Sequence, residues 1–256
     1  MAAVLGLGEA GGRLASDLVA AGVEVRGYDP ATTSAPDGVD RADDAGSAVS
    51  GATVVLALTT ASTALAAVES ALPSLAAEAL YADLNTASPA LKRDIAAVVG
   101  RAGAPFADVA LLGPVPARGL GTPALASGSG AQAFAEVLGS FGMPVDVVSD
   151  RPGDAATLKL LRSVFMKGLA ASALESLRAA GAAGHASWLE GEIAAVVGEP
   201  LLERLAEGSR RHAARRVDEL EAARDLLLEL GVEPRIADAS AAVLAELAAG
   251  GHRVPS

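Results

Sequence analysis

The chain has 256 residues, enough for one large domain or two smaller ones. Apolar residues make up 51 % of it but aromatic residues only 3 %, so its core must be built from Ala, Val and Leu. A net charge of −11 repels a phosphate backbone and argues against nucleic acid as a partner, and the absence of cysteine excludes disulfides, zinc–thiolate sites and thiol catalysis.

The first element is a short apolar strand, Ala2 to Leu5, running into Gly6-Leu7-Gly8-Glu9-Ala10-Gly11 and then an amphipathic Ala/Leu-rich helix. Strand, glycine turn and helix is the setting in which G-x-G-x-x-G carries a mechanism. Gly6 permits the tight turn, Gly8 lets the backbone approach a pyrophosphate, and Gly11 lets the helix pack close to the strand. The free N–H groups and positive end of that helix face the phosphates. No basic region precedes the apolar run, which therefore does not read as a signal peptide. A second strand, Val23 to Tyr28, ends at Asp29, an acid placed to hydrogen-bond the adenosine ribose hydroxyls. Asp29 repels a 2′-phosphate and no Arg follows in Pro30-Ala31-Thr32-Thr33, so the expected cofactor is NAD, with NADP the alternative.

Strand-like and helix-like runs then alternate. We expect helices over 42–50, 62–72, 89–102 and 132–141, and strands over 52–58, 80–84, 105–111, 122–127 and 145–148. Alternation of this kind predicts a mostly parallel, doubly wound sheet flanked by helices, the α/β Rossmann class. Near Arg151-Pro152-Gly153 the pattern changes, and everything after it is helical. The expected organisation is a dinucleotide-binding domain over 1–150 and an all-α substrate and dimerisation domain over 151–256. Its first helix, from Asp154 to about Ala180, is apolar on nearly all sides and reads as buried, so its polar exceptions Lys159, Arg162, Ser163 and Lys167 stand out. Further helices are expected over 186–197, 200–230 and 234–249. No stretch is long and apolar enough to predict a membrane span, and a cytoplasmic protein is expected.

Cofactors and substrates sit at the carboxyl ends of parallel strands. Leu58-Thr59-Thr60 can line the cofactor, and Asn85-Thr86 can reach the nicotinamide ribose or the substrate. Gly113-Pro114-Val115 offers backbone N–H groups, from Gly113 and Val115, to a small acid. Each is also an ordinary loop after a strand. Lys159 is the candidate general acid/base: burial in its helix would lower its pKa toward neutrality, where proton transfer works best. Alternatively it snorkels to the surface or pairs with an acid. Ser163 lies on the same helix face and could bond the substrate oxygen. The charged segment from Glu203 to Arg224 reads as a solvated helix face, or else as one in which His212 and an Arg hold an anionic substrate. His185, His212 and His252 do not fall at metal-ligand spacing.

These residues resemble the β-hydroxyacid dehydrogenase superfamily, which includes 6-phosphogluconate and 3-hydroxyisobutyrate dehydrogenases. Gly6 to Gly11 is similar to that family's G-L-G-x-M-G turn, with Ala10 in place of Met. Asp83-Leu84-Asn85-Thr86-Ala87-Ser88-Pro89 is similar to its D-x-S-T-x-x-P segment. Asp108 to Val115 resembles its substrate loop D-A-P-V-S-G-G in altered form, and Gly153 to Lys159 its G-x-x-x-x-x-K helix. The resemblance implies that Lys159 is the catalytic lysine; the family's Asn four residues on is replaced here by Ser163. The segments KLLRSVFMKG and SRRHAARRVDEL resemble a branch, DUF1932-like, with a short helical C-terminal domain of its own. The resemblance implies hydride transfer between a nicotinamide cofactor and a small hydroxy acid or its keto form, and a homodimer joined through the helical domains. Imine reductases of the same superfamily, and a non-catalytic NAD-binding protein, are the alternatives.

Overall fold

The computed structural model describes residues 1–250 except residue 212. The chain divides into two compact units, Met1–Lys159 and the residues from Leu160 on. The first unit contains β1 (Ala2–Leu5), α1 (Glu9–Ala20), β2 (Val25–Tyr28), β3 (Val39–Arg41), α2 (Ala45–Val49), β4 (Val54–Ala57), α3 (Ala61–Ala71), β5 (Leu80–Asp83), α4 (Pro89–Gly100), β6 (Phe106–Leu111), α5 (Val115–Arg118), β7 (Ala124–Ser127), α6 (Ala131–Gly139) and β8 (Val145–Ser149). The strands form one sheet in the order β3-β2-β1-β4-β5-β6-β7-β8. All neighbouring pairs are parallel except β6–β7. That pair reverses because no full crossover helix lies between the two strands; only the four-residue α5 and a short 3-10 turn, packed against α1, link them.

The strands alternate between two hydrophobic layers, as a pleat of period two requires. Ala2, Val4, Val54, Leu56, Leu80 and Ala82 pack with Leu14 and Leu18 of α1 and Phe134 and Leu138 of α6. Ala3, Leu5, Val55, Ala57 and Tyr81 pack with Val49 of α2, Val68 of α3, and Ile95 and Val99 of α4. Helices therefore cover both faces, and the winding reverses between β1 and β4, where the chain order breaks. Ligands of open parallel sheets bind outside the carboxyl ends of the strands at such a point.

β3 and α5 were not anticipated. β3 is three residues, Val-Asp-Arg, on the sheet edge, too short to show a period. α5 carries a proline in its first turn and lies inside what reads as a loop. The expected domain break near 150 falls instead at 159/160. The first turn of α7 (Asp154–Ala182) is tied to the sheet: Asp108 Oδ2 accepts the N–H groups of Gly153 and Ala156, each at 3.1 Å, and Ser127 Oγ accepts that of Ala155 at 3.0 Å.

The second unit holds the rest of α7 with α8 (Ala186–Val197), α9 (Glu199–Arg211), α10 (Ala213–Glu229) and α11 (Arg235–Ala248). The helix expected over 200–230 is described as α9 and α10 on either side of residue 212. Leu174, Leu220, Ala237 and Leu244 form one apolar cluster, and Leu160, Ala223 and Leu226 another. The expectation that α7 is buried on all sides needs correction. α10 and α11 cover only one stripe of it, and Leu161 and Phe165 are exposed, Phe165 by 65 %. With Val164, Gly168, Leu227 and Ile236 they line an open apolar groove. Trp188 on α8 is also exposed, by 66 %. None of the described helices is long and apolar enough to cross a membrane.

Candidate active site on the dinucleotide domain

The sheet register sets one row of residues along the carboxyl edge. Tyr28 pairs with Leu5, Leu5 with Ala57, Ala57 with Asp83, and Asp83 with Asp108. The candidate residues are the ones that follow this row: Gly6 after β1, Asp29 after β2, Leu58 after β4, and Asn85 and Thr86 just beyond β5.

At β1 the glycine turn is built by sterics. Gly6 has φ +95°, and a Cβ there would lie 2.3 Å from the carbonyl oxygen of Leu58. A Cβ on Gly11 would lie 1.9 Å from the carbonyl oxygen of Gly6. Both glycines are thus required by the apposition of turn, strand end and helix. Gly8 differs: nothing in the protein lies within 4 Å of where its Cβ would be. It is the N-cap of α1, and no side chain caps that end, so the first N–H groups of the helix have no intrahelical partner. Asp29 braces the turn from β2. Its Oδ2 accepts the N–H of Leu7 at 2.8 Å and its Oδ1 that of Ala31 at 2.8 Å. Each carboxylate oxygen keeps a further lone pair for a hydroxyl. The Leu7 side chain lies over Gly27, where a Cβ would come 2.8 Å from Leu7 Cδ2. An open face at Gly8, an uncapped helix end and a neighbouring carboxylate fit a dinucleotide.

At β4, Thr60 caps α3: its N–H donates to Thr63 Oγ1 at 3.2 Å, and its hydroxyl meets those of Ser62 and Thr63, each at 2.9 Å. Thr59 donates to the carbonyl of Thr60 at 3.3 Å. At β5, Asp83 Oδ1 accepts both the backbone N–H of Asn85 at 3.0 Å and its Nδ2 at 2.6 Å. That leaves Asn85 Oδ1 buried with no hydrogen-bond partner among the described residues. Beside it, Lys159 Nζ donates to Thr86 Oγ1 at 2.9 Å. Lys159 is half-buried rather than enclosed.

Beneath these strand ends lies a group that sequence reasoning did not assign. Lys92 of α4 is 1 % exposed and donates to the carbonyl of Asp83 at 2.7 Å. Its ammonium lies 3.4 Å from Asp83 Oδ2 and 3.2 Å from Asp108 Oδ1, close enough to pair electrostatically. Neither oxygen is aligned for a hydrogen bond. Asp108 Oδ2 also accepts Ser127 Oγ at 3.1 Å. Burial, with the charge of Asp83 adding to it, pushes the Tyr81 phenol far above its ordinary range. The legible signal was an acid inside each of two apolar strands, Leu80-Tyr81-Ala82-Asp83 and Phe106-Ala107-Asp108-Val109.

The remaining expected residues make the following contacts. Val115 is 4 % exposed and packs into the core with its side chain, so only its backbone faces the turn after β6. Gly113 is half-buried and Pro114 is exposed. In the helical unit the Ser163 hydroxyl accepts from Lys167 Nζ at 3.0 Å, and Lys167 pairs with Glu219. Burial pulls the Lys167 ammonium below the ordinary lysine range, and Glu219 opposes that. In the charged segment, Arg210 pairs with Glu207 at the surface, while Arg216 is drawn onto buried Ser209. His212 lies outside the described residues.

A doubly wound sheet with this glycine turn, and an acid after its second strand, defines a dinucleotide-binding fold. The chain belongs to the family of the NAD binding domain of 6-phosphogluconate dehydrogenase, which matches residues 1–146. A domain of unknown function, DUF1932, matches residues 180–247. A conserved hypothetical protein from Sinorhizobium meliloti is 27 % identical, with a TM-score of 0.80 over 100 % of this chain and 91 % of that one. A Mycobacterium tuberculosis 3-hydroxyisobutyrate dehydrogenase solved with L-serine shares the fold at 22 % identity, with a TM-score of 0.84 over 97 % of this chain and 93 % of that one. So does an imine reductase from Streptomyces aurantiacus, at 21 % identity and a TM-score of 0.67 over 98 % and 94 % of the two chains. An uncharacterised 28.5 kDa protein from Methanothermus fervidus is 34 % identical over 38 % of this chain, which spans only 36 % of that protein's length.

Proposed function

We propose that the chain is an NAD(P)-dependent oxidoreductase acting on a small hydroxy acid or its keto form. The observation that carries this reading is the 2.9 Å bond from Lys159 Nζ to Thr86 Oγ1, which brings a primary amine to the end of a central strand of the NAD-binding domain. Backbone N–H groups of Gly6 to Gly11 hold the pyrophosphate, and Asp29 accepts from the ribose hydroxyls. Leu58, Thr59 and Thr60 line the cofactor, and the unpartnered Asn85 Oδ1 accepts from a ribose hydroxyl or carboxamide. The nicotinamide, when bound, supplies or takes up the hydride. Lys159 gives the proton from Nζ to a carbonyl oxygen in reduction and removes it from the hydroxyl in oxidation, a role worth about 10²–10⁴ in rate. Thr86 orients that amine. Backbone N–H groups of Gly113 and Val115, on either side of Pro114, meet the acid of a small anionic substrate. A second copy of the chain is proposed to cover Leu161 and Phe165, which are too large and apolar to stay solvated together.

An NAD- and NADP-linked screen of hydroxy acids, phosphorylated and phosphonate ones included, tests the reading, with cyclic imines as a parallel set. Turnover on a hydroxy acid that Lys159→Ala abolishes, with NADH affinity changed less than a few-fold, is the expected result. Turnover on cyclic imines alone would move the chain to the imine reductases. Tight NADH binding with no turnover on either set would make it a binding protein.

A further inference from the structure

We propose that Lys92 is a positioning residue that holds Lys159 against Thr86 by clamping the two strand ends that support them. This role rests on the function proposed for Lys159 and on contacts that lie wholly within the first unit. One arm runs through β5. Lys92 Nζ donates to the Asp83 carbonyl at 2.7 Å and pairs with its carboxylate. Asp83 Oδ1 in turn holds Asn85 by its N–H and its side-chain amide, which fixes the start of the segment that presents Thr86. The other arm runs through β6. Lys92 pairs with Asp108 Oδ1 at 3.2 Å, and Asp108 Oδ2 accepts Gly153 and Ala156 N–H at the start of the helix that presents Lys159. The two arms end on the two partners of a single hydrogen bond.

The charges show why this clamp is more than core filling. Asp83, Lys92 and Asp108 are each 0–1 % exposed, so two carboxylates share one ammonium out of contact with water. Buried ions persist where partners satisfy them. The excess negative charge is met on the Asp108 side by N–H groups at the N-terminal end of α7, where a helix favours an anion. The carboxylate therefore takes its second stabilising contact from the element that carries Lys159, and Lys92 sets where that carboxylate lies.

Lys92→Met tests the clamp, together with Asp83→Asn/Lys92→Met, which removes one buried charge of each sign and keeps an oxygen at position 83 for Asn85. Three readouts are taken on variants whose melting is cooperative: NADH binding by calorimetry, kcat and KM on whichever substrate the screen yields, and the labelling rate of Lys159 by trinitrobenzenesulfonate, followed by mass spectrometry. We expect Lys159 labelled several times faster and kcat down at least tenfold, with NADH affinity and the KM for the cofactor weakened no more than the few-fold that a loosened Asn85 implies. Lys92→Arg, which keeps a buried cation, should recover part of each loss. Unchanged Lys159 labelling in a folded variant would overturn the proposal. Labelling needs no turnover, so a native chain inactive on every substrate sinks the functional reading while leaving this test intact. Faster labelling with kcat unaltered would remove Lys159 from the chemistry but not Lys92 from its support.

Discussion

Replacing the three glycines of the first turn one at a time, with alanine, separates what the fold needs from what the ligand needs. At Gly6 the backbone sits at φ +95°, and the new Cβ would meet a carbonyl oxygen at 2.3 Å. The left-handed strain costs about 1–2 kcal/mol, and the overpacking about 1–3 kcal/mol more. A total near 3 kcal/mol corresponds to a fall in Tm of about 6–12 °C for a chain of this size. Gly11→Ala meets a backbone oxygen at 1.9 Å and should be at least as damaging. Gly8→Ala is the informative case. Its φ of −63° and ψ of −168° suit any residue, and the Cβ enters open space. The small loss of N-cap preference, about 0.5 kcal/mol, is offset by the reduced freedom of the unfolded chain. Melting should therefore stay within about 2 °C of native. Yet the methyl occupies the face the pyrophosphate needs, and NADH affinity should fall at least tenfold, about 1.4 kcal/mol. Thermal denaturation and calorimetry on the same samples decide the matter. A Gly8→Ala protein that melts normally and binds NADH with native affinity would refute the placement of the phosphates at this turn.

Asp29→Asn keeps one oxygen to brace Leu7, gives up the acceptor for Ala31, and loses the charge proposed to meet the ribose. NAD affinity should fall about 10–100-fold, as loss of a charged hydrogen bond implies, and NADP affinity should fall less, both read by calorimetry. Asp154 opens α7 and accepts from Ser149 Oγ at 2.7 Å, and this bond holds its carboxyl below the ordinary range. A depressed folded pKa adds stability above the unfolded value and loses it as pH falls through the folded one. Because the group is largely screened by solvent, Asp154→Ala should cost only about 0.5 kcal/mol at pH 7, and the gap to native should close only below the usual carboxylate range, followed by urea denaturation. Phe165→Asp should convert a two-chain particle to one chain in sedimentation with little change in secondary structure; a native chain already monomeric at micromolar concentration would refute the second-copy proposal.

The glycine turn, the second strand and the alternation of elements were readable because each is a local pattern with one physical cause: a positive φ, an acid at a strand end, a hydrophobic period. β3 escaped because three residues carry no period, and α5 because its proline and flanking glycines spell a turn. The exposure of Phe165 was misjudged because a helix apolar on all sides looks the same whether its second face is covered or left open. The pairing of Lys159 with Thr86 joins residues far apart in sequence, and no spacing rule reaches across that distance. Asp83 and Asp108 stood in the quoted motifs, but the cation between them did not, since Lys92 sits in an ordinary amphipathic stretch beside other charged residues. Its burial follows from the sheet register, which sets Asp83 opposite Asp108.

The scarcity of aromatic side chains has an optical consequence. Both tyrosines, Tyr28 and Tyr81, belong to strands of the sheet, whereas the single tryptophan, Trp188, stands on a helix of the second unit with two-thirds of its surface in solvent. Emission excited at the red edge comes from the helical half alone, and near-ultraviolet dichroism from the enclosed tyrosine reports the other. Denaturation followed at both wavelengths distinguishes a molecule that melts as one cooperative block from one whose halves come apart in sequence, with no label introduced.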